Sequence, residues 1–92
     1  MEHNLNDNEI RDFILNKYKS VKIESLSSKY SFGYNYLKIK LAECKTDFRH
    51  IATAILNNYP TIIWIEYGQW IYTRQSLKNA GFNIKTDLQL WK

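Results

Sequence analysis

The sequence predicts an α+β domain: an N-terminal three-helix unit, a further helix, then a small β-sheet carrying one more helix. Three observations predict it. Ile10, Phe13 and Ile14, and later Phe48, Ile51, Ala52, Ile55, Leu56 and Tyr59, recur at the three- and four-residue spacing of amphipathic helices. Thr61-Ile-Ile-Trp-Ile-Glu-Tyr67 is a β-branched and aromatic run of strand length. Phe82, Ile84, Thr86, Leu88 and Leu90 alternate with polar residues, the period of a half-buried strand. Ninety-two residues, 45% apolar and 24% charged, suffice for one domain with a modest core, spanning residues 1–92 with a helical half to residue 45 and an α/β half from 46.

The elements follow in order. Asn6 can cap a first helix running from about Asp7 to Tyr18, with Glu9 three residues on and Leu5 placed to staple against Ile10. Asp47 or Thr46 can cap the helix over Phe48 to Tyr59, which Pro60 ends. After the run to Tyr67, Gly68-Gln69 offers a tight turn into Trp70-Ile-Tyr72, a wing-like ribbon, although this piece also reads as helix. Ser76-Leu-Lys-Asn-Ala-Gly81 has the form of a helix end, with Gly81 just past it. The alternating run from Phe82 then gives the last strand.

Residues 20–44 are the pivotal stretch. Leu26 and Tyr30 share a face, Ser27 is small where two helices would cross, Ser31-Phe32-Gly33 can turn the chain, and Leu37 and Leu41 face the same core from a second helix. This spacing resembles the generic helix-turn-helix pattern of DNA-binding domains, winged helices included, at the level of a superfamily. It departs in having Ser27 where Ala is usual and Ser31 with Gly33 around the turn. The same residues also alternate at period two, through Asn35, Leu37, Ile39 and Leu41, and so support a rival β-hairpin and an alternative fold, a helix followed by a ββαβαβ sandwich. The helical expectation rests on the turn, because neither Asn-Gly nor Asp-Gly stands at its centre.

Charge is uneven. Thirteen Lys and Arg against nine Asp and Glu give +4 and a pI near 9.2. Residues 17–45 hold seven basic residues and two acidic ones, a net of +5, whereas residues 1–16 hold one and four, a net of −3. A basic motif favours a polyanionic partner. A lone Cys44 excludes an internal disulfide and a thiolate zinc cluster. No apolar run long enough for a bilayer and no leader are visible, so the expected compartment is the cytoplasm, without membrane contact. Abundant Ile, Lys and Asn suit AT-rich coding sequence, as in a low-GC bacterium, phage or other mobile element.

The expected function is a small nucleic-acid-binding protein acting in transcription control or replication. Lys29, Tyr34, Asn35, Tyr36, Lys38 and Lys40 are the candidate nucleic-acid-binding residues: lysines for phosphates, Asn35 for adenine, tyrosines for phosphates or stacked bases. The alternative is a protein-binding accessory or inhibitor module, with Trp64, Trp70 and Trp91 as its partner-binding residues. DNA, single- or double-stranded, a homodimer or a partner protein are the expected partners. No phosphate-binding loop or metal-ligand spacing occurs, and Asp47 and His50 form the one helical pair worth weighing, so neither enzyme activity, cofactor nor metal is expected.

Overall fold

The computed structural model describes residues 5–85. Helix α1 (Asp7–Lys17) leads into strands β1 (Lys22–Ser31) and β2 (Tyr34–Glu43), helix α2 (Phe48–Asn58), strands β3 (Ile62–Tyr67) and β4 (Trp70–Thr73), and helix α3 (Arg74–Asn79). The strands form one sheet in the order β1-β2-β3-β4. Pairing is antiparallel at both ends and parallel between β2 and β3, where Leu37 lies beside Ile65 and Tyr36 beside Trp64.

This order overturns the N-terminal three-helix unit and with it the helix-turn-helix. Residues 22–43 are a hairpin, and no recognition helix carries Tyr34 to Lys40. The turn supplies the reason. Phe32 and Gly33 both adopt positive φ, 54° and 83°, as a two-residue type I′ connection requires. Asn-Gly is the preferred pair for this turn, yet Phe-Gly makes it, at a backbone cost of about 1–2 kcal/mol for Phe32. The alternative ββαβαβ order fails as well, because β4 follows β3 directly and the chain from Phe82 to Lys85 is not strand. The rest of the expected last strand lies outside the described residues. The sheet and its core include residues on both sides of residue 45.

Elsewhere the local signals hold. The Asn6 side chain accepts from the Asn8 and Glu9 amides at the start of α1, and Asp47 accepts from the Arg49 amide at the start of α2. Thr73 and Ser76 close a capping box on α3. At its other end the Phe82 amide donates to the Leu77 carbonyl and the Gly81 amide to that of Lys78, with Gly81 at φ 95°. That is a Schellman stop.

The core lies on one side of the sheet. Leu26, Leu37, Ile39, Ile62 and Ile65 meet Ile10 and Ile14 of α1, Phe48, Ile51, Ile55 and Leu56 of α2, and Leu77 of α3 in a single apolar cluster. Phe48 stacks on Tyr67 at its margin, with ring centres 3.9 Å apart. The outer edge of β1 is tied to α1, where the Asp7 carboxylate accepts from the Ser28 amide at 3.1 Å. A helix-borne acceptor there removes one edge donor that another chain could otherwise pair.

Arg74 closes the core from below. Its guanidinium donates to the Ile62 carbonyl at 2.6 Å and to the Leu56 and Tyr59 carbonyls at 2.7 and 3.2 Å, binding the end of α2 to the start of β3. Carbonyls orphaned at a helix end need such donors. Burial holds the guanidinium pKa below its usual value; the carbonyls engage Nη1 and Nη2, while the buried Nε has no partner among the described residues. Arg74→Met should therefore lower the unfolding free energy in urea by about 2–3 kcal/mol, the cost of stranding those carbonyls.

A second expectation concerns pH. Arg49 holds the Asp47 carboxyl down at about 2, through hydrogen bonds from its side chain and backbone. The folded pKa is depressed, so this contribution is complete above the ordinary aspartate range and vanishes as pH falls through about 2. It is small, because the pair is solvent-exposed. The stability gap between the wild type and Asp47→Ala, followed by thermal melts, should narrow as the medium is acidified from pH 4 to pH 2.

Candidate nucleic-acid interface

The side of the sheet away from the core has no helix over it among the described residues. Period-two alternation assigns its occupants. On β2 these are Tyr34, Tyr36, Lys38 and Lys40, between the inward Asn35, Leu37, Ile39 and Leu41. On β1 the register partners Ser31, Lys29, Ser27 and Ser25 share that side. On β3 and β4 it carries Trp64 and Glu66 beside Thr73 and Ile71. Five of the six expected nucleic-acid-binding residues, Lys29, Tyr34, Tyr36, Lys38 and Lys40, thus share one surface, though on strands rather than a helix. Asn35 does not join them. It points to the core side, where its Oδ1 is buried with no hydrogen-bond partner among the described residues.

Tyr36 and Trp64 form the centre of the surface. Their rings are parallel within 8°, with centres 4.6 Å apart. That separation is close to the spacing of adjacent strands, about 4.7–4.9 Å. The two rings therefore stand upright side by side, and the free ring face of Tyr36 looks out over β1. There Lys29 is its direct register partner, flanked on the same side by Ser27 and Ser31. Serines leave room. The strip of sheet beside that ring is thus lined by Lys29, Ser27 and Ser31. The Trp64 indole N–H donates to the Glu66 carboxylate at 3.2 Å, which fixes the far ring of the stack.

Two lysines of the surface differ from the rest among the described residues. Lys40 pairs with Glu24 at 3.4 Å, and Lys22 pairs with Glu43 at the far end of the hairpin. Lys29 and Lys38 make no ion pair among the described residues. Together the three outward lysines outnumber Glu24 and Glu66, so the surface is weakly positive around the ring stack.

The three tryptophans separate. Trp64 belongs to the stack, Trp70 is 67% exposed just after the β3–β4 turn, and Trp91 lies outside the described residues. Sequence reasoning placed Trp64 in a different functional group from Tyr36, and only the parallel β2–β3 pairing joins them. It missed Arg74 entirely.

A cavity of about 720 Å³ opens on the opposite, helical side, between α1, α2 and residues 80–85, with Tyr18, His50, Thr53 and Asn57 in its wall. No group of acidic, histidine or cysteine residues suited to a metal occurs among the described residues. The Asp47 carboxylate is held by Arg49. No described helix is long and apolar enough to cross a membrane.

The chain matches no protein-family model, no curated protein and no solved structure.

The stack itself can be measured. A double-mutant cycle with Tyr36→Ala and Trp64→Ala should give a coupling of about 0.5–1.5 kcal/mol in unfolding free energy, the usual worth of an aromatic pair beyond its buried area.

Proposed function

We propose that this protein binds single-stranded nucleic acid on the open side of its sheet. One observation carries the reading: the half-buried stack of Tyr36 on Trp64 stands on the open side of the sheet, and the strip beside it that Lys29, Ser27 and Ser31 line is the slot we assign to a base, with Lys38 further along β2. A base inserted beside Tyr36 gains a ring face to stack on, and the adjoining phosphates meet unpaired ammonium groups. Ser25 and Ser27 offer hydroxyls that can donate to or accept from sugar and base edges. Duplex readout loses support, because it required a helix at residues 34–40 to enter a major groove. A single strand needs no groove. It lies along a sheet, with its bases against the aromatic side chains.

The wider setting stays as expected from the sequence: a cytoplasmic protein of a phage or other mobile element, serving replication or transcription control. A single-strand binder suits the first of these better, since replication exposes unpaired strands. The competing reading is a protein-binding module, and the exposed Trp70 and Ile71 of β4 favour it. Trp70 alternates to the other side of the sheet from Tyr36 and Trp64, so it separates the two readings.

Fluorescence anisotropy with a labelled single-stranded DNA or RNA of about ten nucleotides, within the usual site size of one small sheet domain, tests the proposal. Tyr36→Ala or Trp64→Ala should each weaken binding by about 1–3 kcal/mol. Lys29→Ala and Lys38→Ala should each reduce the dependence of log affinity on log salt by about 0.7, one phosphate contact on a single strand. Trp70→Ala should leave both quantities unchanged. Loss of binding in Trp70→Ala, with the slot variants unaffected, would move the interaction to β4.

A further inference from the structure

The tip of the β1–β2 hairpin has a composition that the fold does not explain. Phe32 is 96% exposed and touches no part of the core, yet it occupies a left-handed backbone position at φ 54°. Both conditions disfavour phenylalanine. Asn, Asp or Gly would make the same turn without strain and without placing a bare ring in water. A costly residue at an exposed, over-determined turn points to a task outside the fold.

Its neighbours indicate which task. Tyr34 follows on the open side of the sheet and is itself exposed, and Tyr36 with its partner Trp64 comes one side-chain repeat further on. Aromatic residues thus recur at positions 32, 34 and 36 from the end of the hairpin to the ring stack. Lys29 flanks the row on β1. A lipid surface would meet the tip end-on and leave Tyr36 and Trp64 out of contact. A nucleic acid meets the whole row.

We infer that Phe32 is a wedge for the junction between paired and unpaired nucleic acid: its ring caps the last base pair while the departing strand runs over Tyr34 into the Tyr36–Trp64 slot. The inference rests on the single-strand reading proposed above. It adds a preference that reading does not require. An apolar ring presented at a protruding tip is the device by which proteins part or cap stacked base pairs, and a flat terminal pair buries its face more fully than a lone base does.

The test compares three probes by anisotropy: a ten-nucleotide single strand, and a DNA hairpin bearing that strand as a 3′ or as a 5′ tail. The wild type should bind one of the tailed hairpins about tenfold more tightly than the free strand, the size of one added stacking contact. Phe32→Asn should lose that preference and keep the free-strand affinity, while Phe32→Trp should keep both. Phe32→Asn suits the turn, so its melting temperature should equal or exceed that of the wild type, which removes misfolding as a cause. Equal binding to all probes by the wild type, or an undiminished preference in Phe32→Asn, overturns the wedge and leaves the slot standing. Binding to none of the probes overturns both. Vesicles of phosphatidylserine form the last arm: capture that depends on Phe32, with no junction preference, makes the tip a membrane contact and overturns the wedge.

Discussion

The parallel pairing of β2 with β3 is the constraint on which the rest depends. Parallel neighbours need a crossover, and α2 provides it, bringing the apolar face of Phe48 to Leu56 down onto the strands it connects. Once Leu37 stands beside Ile65 in the core, the residues before them, Tyr36 and Trp64, must stand together on the other side. One register builds both surfaces. Slipping it by one residue would send Leu37 and Ile39 into water and the lysines into the core, so the apolar interior indirectly fixes the position of the ring stack.

Much of the helical and capping structure was legible in the sequence, because its signals are local. Asn6, Asp47, Pro60 and Gly81 act within a turn or two of where they stand. The hairpin was misread for a reason of arithmetic. Leu26 and Tyr30, and Leu37 and Leu41, are four apart, a spacing that places residues on one face of a helix and equally on one face of a strand. Ile39 is the discriminating residue. Midway between Leu37 and Leu41, it would point away from their stripe on a helix but shares their face on a strand, and it is buried. Phe32 masked the turn, because the residue that makes it is one that turn preferences disfavour.

The same arithmetic explains why most of the candidate residues still share one surface although they lie on strands and not on a helix. Lys38 and Lys40, two apart, would diverge around a helix but align on a strand, together with Tyr34 and Tyr36. Asn35 falls out for the complementary reason, being odd in the alternation. Trp64 and Arg74 were beyond reach, since their roles arise from contacts with segments distant in the chain: Tyr36 in one case, the carbonyls at the end of α2 in the other. No local pattern announces a partner that only the folded topology supplies.

The crossover has a kinetic consequence. β1 and β2 can meet through a two-residue turn, whereas Trp64 reaches Tyr36 only after the chain has closed through α2. Closing the longer loop costs more entropy before any contact offsets it. A nascent or partly unfolded chain can thus hold the hairpin, with Phe32, Tyr36 and the lysines in place, while lacking the second ring. Such a species carries the lysines and a single ring without the stack, and the upright pair distinguishes the finished molecule from its precursors.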